Sequence, residues 1–360
     1  MKGVVMPHKS LFHDASDLNP VKIQAPVSIS SLLELMGQTS FEARNTWRGA
    51  NLFKRMIEGG DTIWLGIAGA GIAGGMGGMV INLIEKGFID VICSTGAQVY
   101  HDLHFAFNLP VKSISPHWND DLLRQHGDTR IYDIGIREVE TLQAQDDIIR
   151  RFVIDAYPQL SEKPLSSWEF NSILGNWVLN HAPSPEKSFM AQAADAGVPV
   201  FWDSFTNHSI AMNLTRTDLE GYPVLFSPQQ DILDSAALVY ATGGTGFVEL
   251  GGGGPKNFIQ QTGPTISQIL EIEFEGADRG LQIGTAVERE GSLSSCTFGE
   301  AVTWGKYKEA SEAHLVQIWA EYSLIFPLLT AYVLETCKAR KVRCLAHAIP
   351  AFRKQLTEAR

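Results

Sequence analysis

Seven glycines lie between Gly66 and Gly78, in the segment GIAGAGIAGGMGG, between a short apolar run, DTIWLGIAG, and the stretch MVINLIEKG. A short apolar run that stops at glycine reads as a buried strand, and the stretch that follows reads as a helix. A glycine turn placed between the two lets backbone approach a phosphate while the N–H groups of the helix N-terminus donate to it. The spacing matches GxGxxG only in part, and the acid expected about twenty residues further on is represented by Asp90. Close packing of the helix through a small-residue face explains the same glycines without a ligand.

The alternation recurs along the chain. From Ser28, SISSLLELMGQTSFEARNTWRGANLFKRMIEGG has apolar residues at helical spacing and ends on Gly59 and Gly60, which predicts two helices. Residues 1–27, with Pro7, Pro20 and Pro26, read as an N-terminal arm. Ile89 to Cys93 forms a second strand, with Thr95, Gly96 and Ala97 just beyond it. VPVFW to Trp202 and YPVLF to Phe226 predict two more, with DSFTNHS between them. Another is expected from Ser235 into the turn Gly251–Gly254, and GLQIGTA, Gly280 to Ala286, is the last of the series. Charged runs between residues 110 and 190, such as REVETLQAQDDIIRRFVIDAY, predict solvated outer helices. The expected fold is α/β: a doubly wound, Rossmann-like, mostly parallel sheet with helices on both faces. No repeat or linker divides residues 28–360, so they are expected to form one domain. Ligands gather at the C-terminal ends of such strands, and Thr95, Asn207, Gly251 and Thr285 should converge on one crevice.

A formal charge of −11 over 360 residues argues against a nucleic-acid partner, which needs clustered Lys and Arg. Cys93, Cys296, Cys337 and Cys344 show no CxxC spacing, so no zinc site, other metal centre or disulfide framework is indicated, and a cytoplasmic protein is expected. The stretch nearest to a membrane span, Trp64 to Ile84, is broken by its glycines, and no membrane association is expected.

The chemistry-bearing stretch is GEAVTWGK, Gly299 to Lys306, which brings an acid, an indole and a lysine together. Desolvation of such a lysine favours the neutral amine that attacks carbonyl or imine carbon. A lysine beyond an amphipathic segment also commonly keeps a solvated ammonium on a buried stem. Lys256, behind four glycines, can reach a phosphate or only solvent.

GEAVTWGK, followed by WAEYSLIFPLL from Trp319 to Leu329 and preceded by LGGGGPKN from Leu250 to Asn257, resembles the C-terminal half of the deoxyhypusine synthase family. The likeness runs over roughly residues 30 to 335. It implies that Lys306 forms an imine with an aminobutyl group taken from spermidine. It also implies NAD bound across the sheet, at positions matching Gly69, Ala70, Gly71, Ile72, Ala73, Thr95, Gly96, Ala97, Asn207, Gly252, Thr285, Ala286, Glu321 and Tyr322. By the same resemblance Glu300 positions a substrate ammonium and Trp304 supplies a cation–π face. His101, an imidazole, is a candidate proton shuttle near neutral pH, although a lone histidine is more often structural.

The polyamine pocket departs from the family. His101, Met212, Asn257 and Leu293 stand where it has Glu, Asp, His and Asp, with Gly291 and Ser292 beside Leu293. GGGxPKNF resembles the bacterial deoxyhypusine-synthase-like branch, so a small free amine is expected as acceptor and a homospermidine-type product. The implied reaction is a transfer without net redox. NAD takes hydride from the C–N carbon, the imine exchanges onto Lys306, the acceptor amine displaces Lys306, and the hydride returns. Family members are tetramers with sites between paired subunits, which implies a homotetramer here. A true deoxyhypusine synthase acting on a protein lysine, an NAD-dependent amine dehydrogenase and a catalytically silent NAD-binding protein remain open at this point.

Overall fold

The computed structural model describes residues 15–360, so residues 1–14 of the expected arm lie outside the described residues. Residues 15–28 contain no helix or strand and lead to the helix Ile29–Gly37, which Ser28 caps by accepting from the Ser31 N–H. The second expected helix is Phe41–Gly59, closed by Gly60 in the left-handed conformation.

Among the described residues nine strands follow: β1 Thr62–Ile67, β2 Val91–Ser94, β3 Val111–Ser113, β4 Asp128–Ile131, β5 Ile134–Arg137, β6 Val200–Trp202, β7 Thr245–Leu250, β8 Arg279–Gly284 and β9 Leu315–Trp319. Six of them form one sheet in the order β6-β2-β1-β7-β8-β9, parallel throughout. β1 and β7 are buried along their whole length because helices cover both faces, which is why they read as near-continuous apolar runs. Ile63, Leu65, Ile67, Val248 and Leu281 pack into one core, while Trp64, Val91, Cys93 and Phe247 pack into a second on the opposite face. The chain moves outward from β1 through β2 to β6, then returns to β7, β8 and β9. The winding therefore reverses between β1 and β7, the place where open α/β sheets bind ligands.

The doubly wound α/β fold stands as expected, with four local corrections. YPVLF is not a strand: Pro223 lacks the N–H that a ladder needs, and only an isolated bridge joins Phe226 to Leu165. The segment from Ser235 to Thr242 belongs to the helix Pro228–Thr242, started by proline in its first turn, and β7 begins only at Thr245, after Gly243 and Gly244. GLQIGTA is not the last strand, because LVQIW, Leu315–Trp319, adds β9 at the sheet edge. Residues 111–137 hold a separate antiparallel sheet of order β3-β5-β4, in a region whose charge pattern predicts outer helices.

The N-terminal side of the main sheet is tied by charge. Asp90, almost wholly buried, accepts from the Ile63 N–H at 2.9 Å and from Arg340 at 3.0 Å, and Arg340 also donates to the Asp61 carbonyl. The other edge of the sheet is left to glycine turns and loops.

Candidate active site

Because the main sheet is parallel, the segments after β1, β2, β6, β7, β8 and β9 leave it along one edge. Gly69–Ala73, Thr95–Ala97, Asn207, Gly252, Thr285 with Ala286, and Glu321 with Tyr322 all lie on that edge.

At the switch point the turn after β1 is moulded on Tyr322. The Tyr322 hydroxyl accepts from the Gly71 N–H at 2.8 Å and donates to the Ala68 carbonyl at 2.9 Å. A Cβ on residue 71 would lie 2.6 Å from that hydroxyl, so glycine is required there by close approach. Gln98 accepts from the Ile72 N–H at 2.9 Å and fixes the entry into the π-type turn Ile72–Met76 and the helix Gly77–Glu85. Glu321 caps the helix Tyr322–Thr336 by accepting from Ser323. Gly69, Ala70, Gly71, Ala73, Glu321 and Tyr322 line a cavity of about 770 Å³ that reaches the antiparallel sheet. Thr95 caps the helix Gly96–Ala106, and Ile72 is buried, so these two serve the backbone of the crevice.

Lys306 is delivered by a helix end. The helix Phe298–Thr303, capped by Thr297, terminates when Gly305 adopts φ +70°. Lys306 N–H then bonds the Ala301 carbonyl at 3.1 Å and Gly305 N–H bonds that of Val302 at 3.0 Å, the paired bonds of a Schellman ending. The glycine of the WGK triplet therefore turns the lysine inward. Lys306 is 8% exposed, whereas Trp304 is 62% exposed, so the indole does not bury the amine as the sequence suggested. Trp304 instead lies on the rim of a cavity of about 490 Å³ that Lys306 shares with Asn257, Gly291, Ser292, Leu293 and Glu300. The Lys306 amine has one described polar contact, Asn257 Oδ1 at 3.4 Å. Only the backbone of Glu300 takes part in the Thr297 cap, and its carboxylate is left to the cavity, with the exposed Glu288 and Glu290.

Behind Lys306 lies a polar wall of which sequence reading singled out only Lys256. That lysine is 2% exposed and donates to Gln282 Oε1 at 2.7 Å, the Cys296 carbonyl at 2.7 Å and the Ser294 carbonyl at 3.3 Å. It is turned away from solvent and fastens the loop Gly291–Cys296 that lines the cavity. Ser294 in turn accepts from the Gly253 N–H at 2.9 Å, seating the loop on the four-glycine turn beside Gly252. Glu249, 1% exposed, accepts from Gln260 at 2.7 Å and from the Tyr307 hydroxyl at 3.2 Å, and its Oε2 has no partner among the described residues. Burial pushes the Glu249 carboxyl up to about 6, against Lys256 first and then Gln260, Tyr307 and Lys306. Burial lowers the Lys256 ammonium from its usual range, while Glu249 acts in the opposite sense. Burial also raises the Cys296 thiol, against both lysines. The signal for this wall was available: a Glu and a Gln inside otherwise apolar buried strands.

His101 and Met212 do not line the Lys306 cavity. His101 pairs with His104 at 3.0 Å, and burial lowers it from the usual imidazole range, which favours the neutral ring over a shuttle at neutral pH. Met212 is 68% exposed on the helix Ser209–Leu219. Ala286 lines a third cavity, of about 300 Å³, with Glu288 and Trp319.

The sequence model of the family described as deoxyhypusine synthase matches residues 31–333. The chain belongs to the deoxyhypusine synthase family. That family consists of aminobutyl transferases that are in general NAD-dependent. The chain is 31% identical over 342 residues to a deoxyhypusine synthase-like protein of Thermosynechococcus vestitus, covering 92% of this chain and 84% of the relative. It is 34% identical to one of Cyanothece sp., covering 85% and 78% of the two chains. A probable deoxyhypusine synthase 2 of Methanosarcina mazei is 32% identical, with 90% of each chain covered. The fold is similar to the crystal structure of a putative deoxyhypusine synthase from Entamoeba histolytica, with a TM-score of 0.59, 16% identity and coverage of 88% and 97%. In this deoxyhypusine synthase-like chain, WGK is the triplet whose glycine turns the lysine into the cavity. Among the described residues, no helix is long and apolar enough to cross a membrane.

Proposed function

We propose that this chain is an NAD-dependent 4-aminobutyl transferase that takes its group from a polyamine such as spermidine, carries it as an imine on Lys306, and delivers it to a small amine. The observation that carries this reading is Lys306 itself. It is buried, it lines a cavity of about 490 Å³, and its amine has a single long contact, so it is available to attack carbon.

NAD, when bound, supplies the acceptor and donor of hydride. The residues of the 770 Å³ cavity fit such a group: Gly69, Ala70, Gly71 and Ala73 line it with backbone and small side chains, Ile72 being buried outside the lining, and Glu321 stands at a helix start on the same cavity. In the Lys306 cavity, Glu300, Glu288 and Glu290 offer carboxylates to substrate ammonium groups, and exposed Trp304 offers an aromatic face to the same cation. Asn257 accepts from the Lys306 amine and orients it. The acidic rim lies beside the exposed Leu293 and Trp304, which leaves room for a polyamine chain with apolar methylenes between charged ends.

Met212, Asn257 and Leu293 offer no carboxylate, which favours a free diamine over a protein lysine as acceptor. The same proposal takes residues 28–360 as one catalytic unit, assembled as a cytoplasmic homotetramer in which His101 and Met212 approach the site of a neighbouring copy. The test is incubation with NAD and a panel of polyamines, followed by mass spectrometry of products and enzyme. A homospermidine-type product supports the reading. Labelling of a translation-factor lysine without transfer to putrescine replaces the small acceptor by a protein, and steady NADH release replaces the transferase by a dehydrogenase.

A further inference from the structure

The wall behind Lys306 holds two buried amines and one buried carboxylate, and their hydrogen-bond sets are unequal. Lys256 meets three oxygen acceptors, matching the three donors of an ammonium: Gln282 Oε1, the Ser294 carbonyl and the Cys296 carbonyl. The Lys306 amine meets only Asn257 Oδ1 among the described residues, at 3.4 Å. We propose that Lys256 is the amine that keeps its proton, and that its fixed ammonium makes Lys306 the free base.

The charge count supports this placement. A buried charge is costly unless it is paired and hydrogen-bonded, and among the described residues the only fully buried carboxylate in this wall is Glu249. One carboxylate neutralises one ammonium. Burial opposes a charge on Lys256, but the hydrogen-bond geometry selects it for that ammonium all the same, because a neutral Lys256 would have too few protons for its three acceptors. The other titratable groups facing the two amines are Tyr307 and Cys296, both with protonated forms favoured by burial, and Glu288, Glu290 and Glu300, which are exposed to water at the cavity rim. Water screens those three far more than it screens the buried wall. A cation fixed close to a second amine favours loss of the second proton, so Lys256 acts through Lys306 as a positioning residue. Its function within the proposed reaction rests on Lys306 being the nucleophile, but the proton placement is measurable without any substrate.

The experiment is trace acetylation of the folded enzyme with acetic anhydride across pH, without NAD or polyamine, with mass spectrometry of the Lys306 and Lys256 peptides. In Lys256→Met the onset of Lys306 labelling should move up by about one pH unit, a roughly tenfold loss of labelling on the acidic side. In Glu249→Gln, which keeps hydrogen-bonding capacity but removes the counter-charge, Lys256 should lose its proton more readily, and its own labelling should start at lower pH than in wild type. Lys256→Arg, which keeps the cation, should stay near wild type. If Lys256→Met does not fold, the Lys256 profile in Glu249→Gln decides alone. An unchanged Lys256 profile in folded Glu249→Gln overturns the proposal, as does wild-type labelling of Lys256 at lower pH than Lys306. Shifts in the expected directions, combined with no borohydride-trapped adduct for any polyamine, uphold the proton placement and overturn the transferase reading.

Discussion

Glu249 on β7 and Gln282 on β8 stand directly opposite each other in the parallel register, and both are almost completely buried behind the cavity of Lys306. Gln282 holds Lys256 and the Ser294 carbonyl, and Glu249 holds Gln260 and Tyr307. A polar pair at the centre of two apolar strands is thus the foundation for both the loop Gly291–Cys296 and the lysine.

Gln282→Leu removes an acceptor from the Lys256 ammonium and a donor from the Ser294 carbonyl. Leaving such buried groups unsatisfied costs about 1–3 kcal/mol. A fall in melting temperature is expected, together with a higher KM for the polyamine as the loop loosens. Unchanged values for both would show that the loop is held without Gln282.

Lys306→Arg keeps a positive charge but cannot form the imine. Transfer should be abolished, and no adduct should be trapped by borohydride, while the melting-temperature rise produced by NAD persists. Near wild-type transfer by this variant would mean that the acceptor attacks a free imine, and the covalent route would be dropped.

Tyr322→Phe deletes the hydroxyl that bridges Gly71 N–H and the Ala68 carbonyl. The expected cost is about 1–3 kcal/mol of stability. Because the turn lines the proposed NAD cavity, the stabilisation by millimolar NAD should also shrink. Calorimetry with and without NAD measures both effects.

Asp102 is fully buried and accepts from Ser188 Oγ and from the Phe189 and Met190 N–H groups at the start of the helix Phe189–Ala196. Burial raises its carboxyl to about 7, against those hydrogen bonds. Its folded pKa is above its unfolded value, so its favourable contribution is full below about pH 4 and is lost as pH rises through 7. Asp102→Asn does not titrate. The melting temperature of the wild type minus that of the variant should therefore fall between about pH 4 and pH 7, and a difference that rises over this range would reverse the assignment.

The sequence by itself determined the parallel α/β sheet, through apolar runs that stop at glycine, and it singled out the proposed nucleophile through WGK, whose Gly305 ends a helix so that Lys306 turns inward. These features are local: a run of buried strand residues or a left-handed glycine leaves its mark within a few positions. Local pattern failed where a neighbour in space decided the outcome. LVQIW is a strand because β8 offers it an edge, whereas Ser235–Thr242 is helical for a local reason, as the continuation of a helix that starts at Pro228. The burial of Lys306, the exposure of Trp304 and the grouping of Lys256, Glu249, Gln282 and Gln260 come from segments far apart in sequence. Hydrogen bonding and desolvation depend on which groups meet in space, so only the tertiary structure decided which lysine is held by three acceptors and which faces the cavity nearly unpartnered.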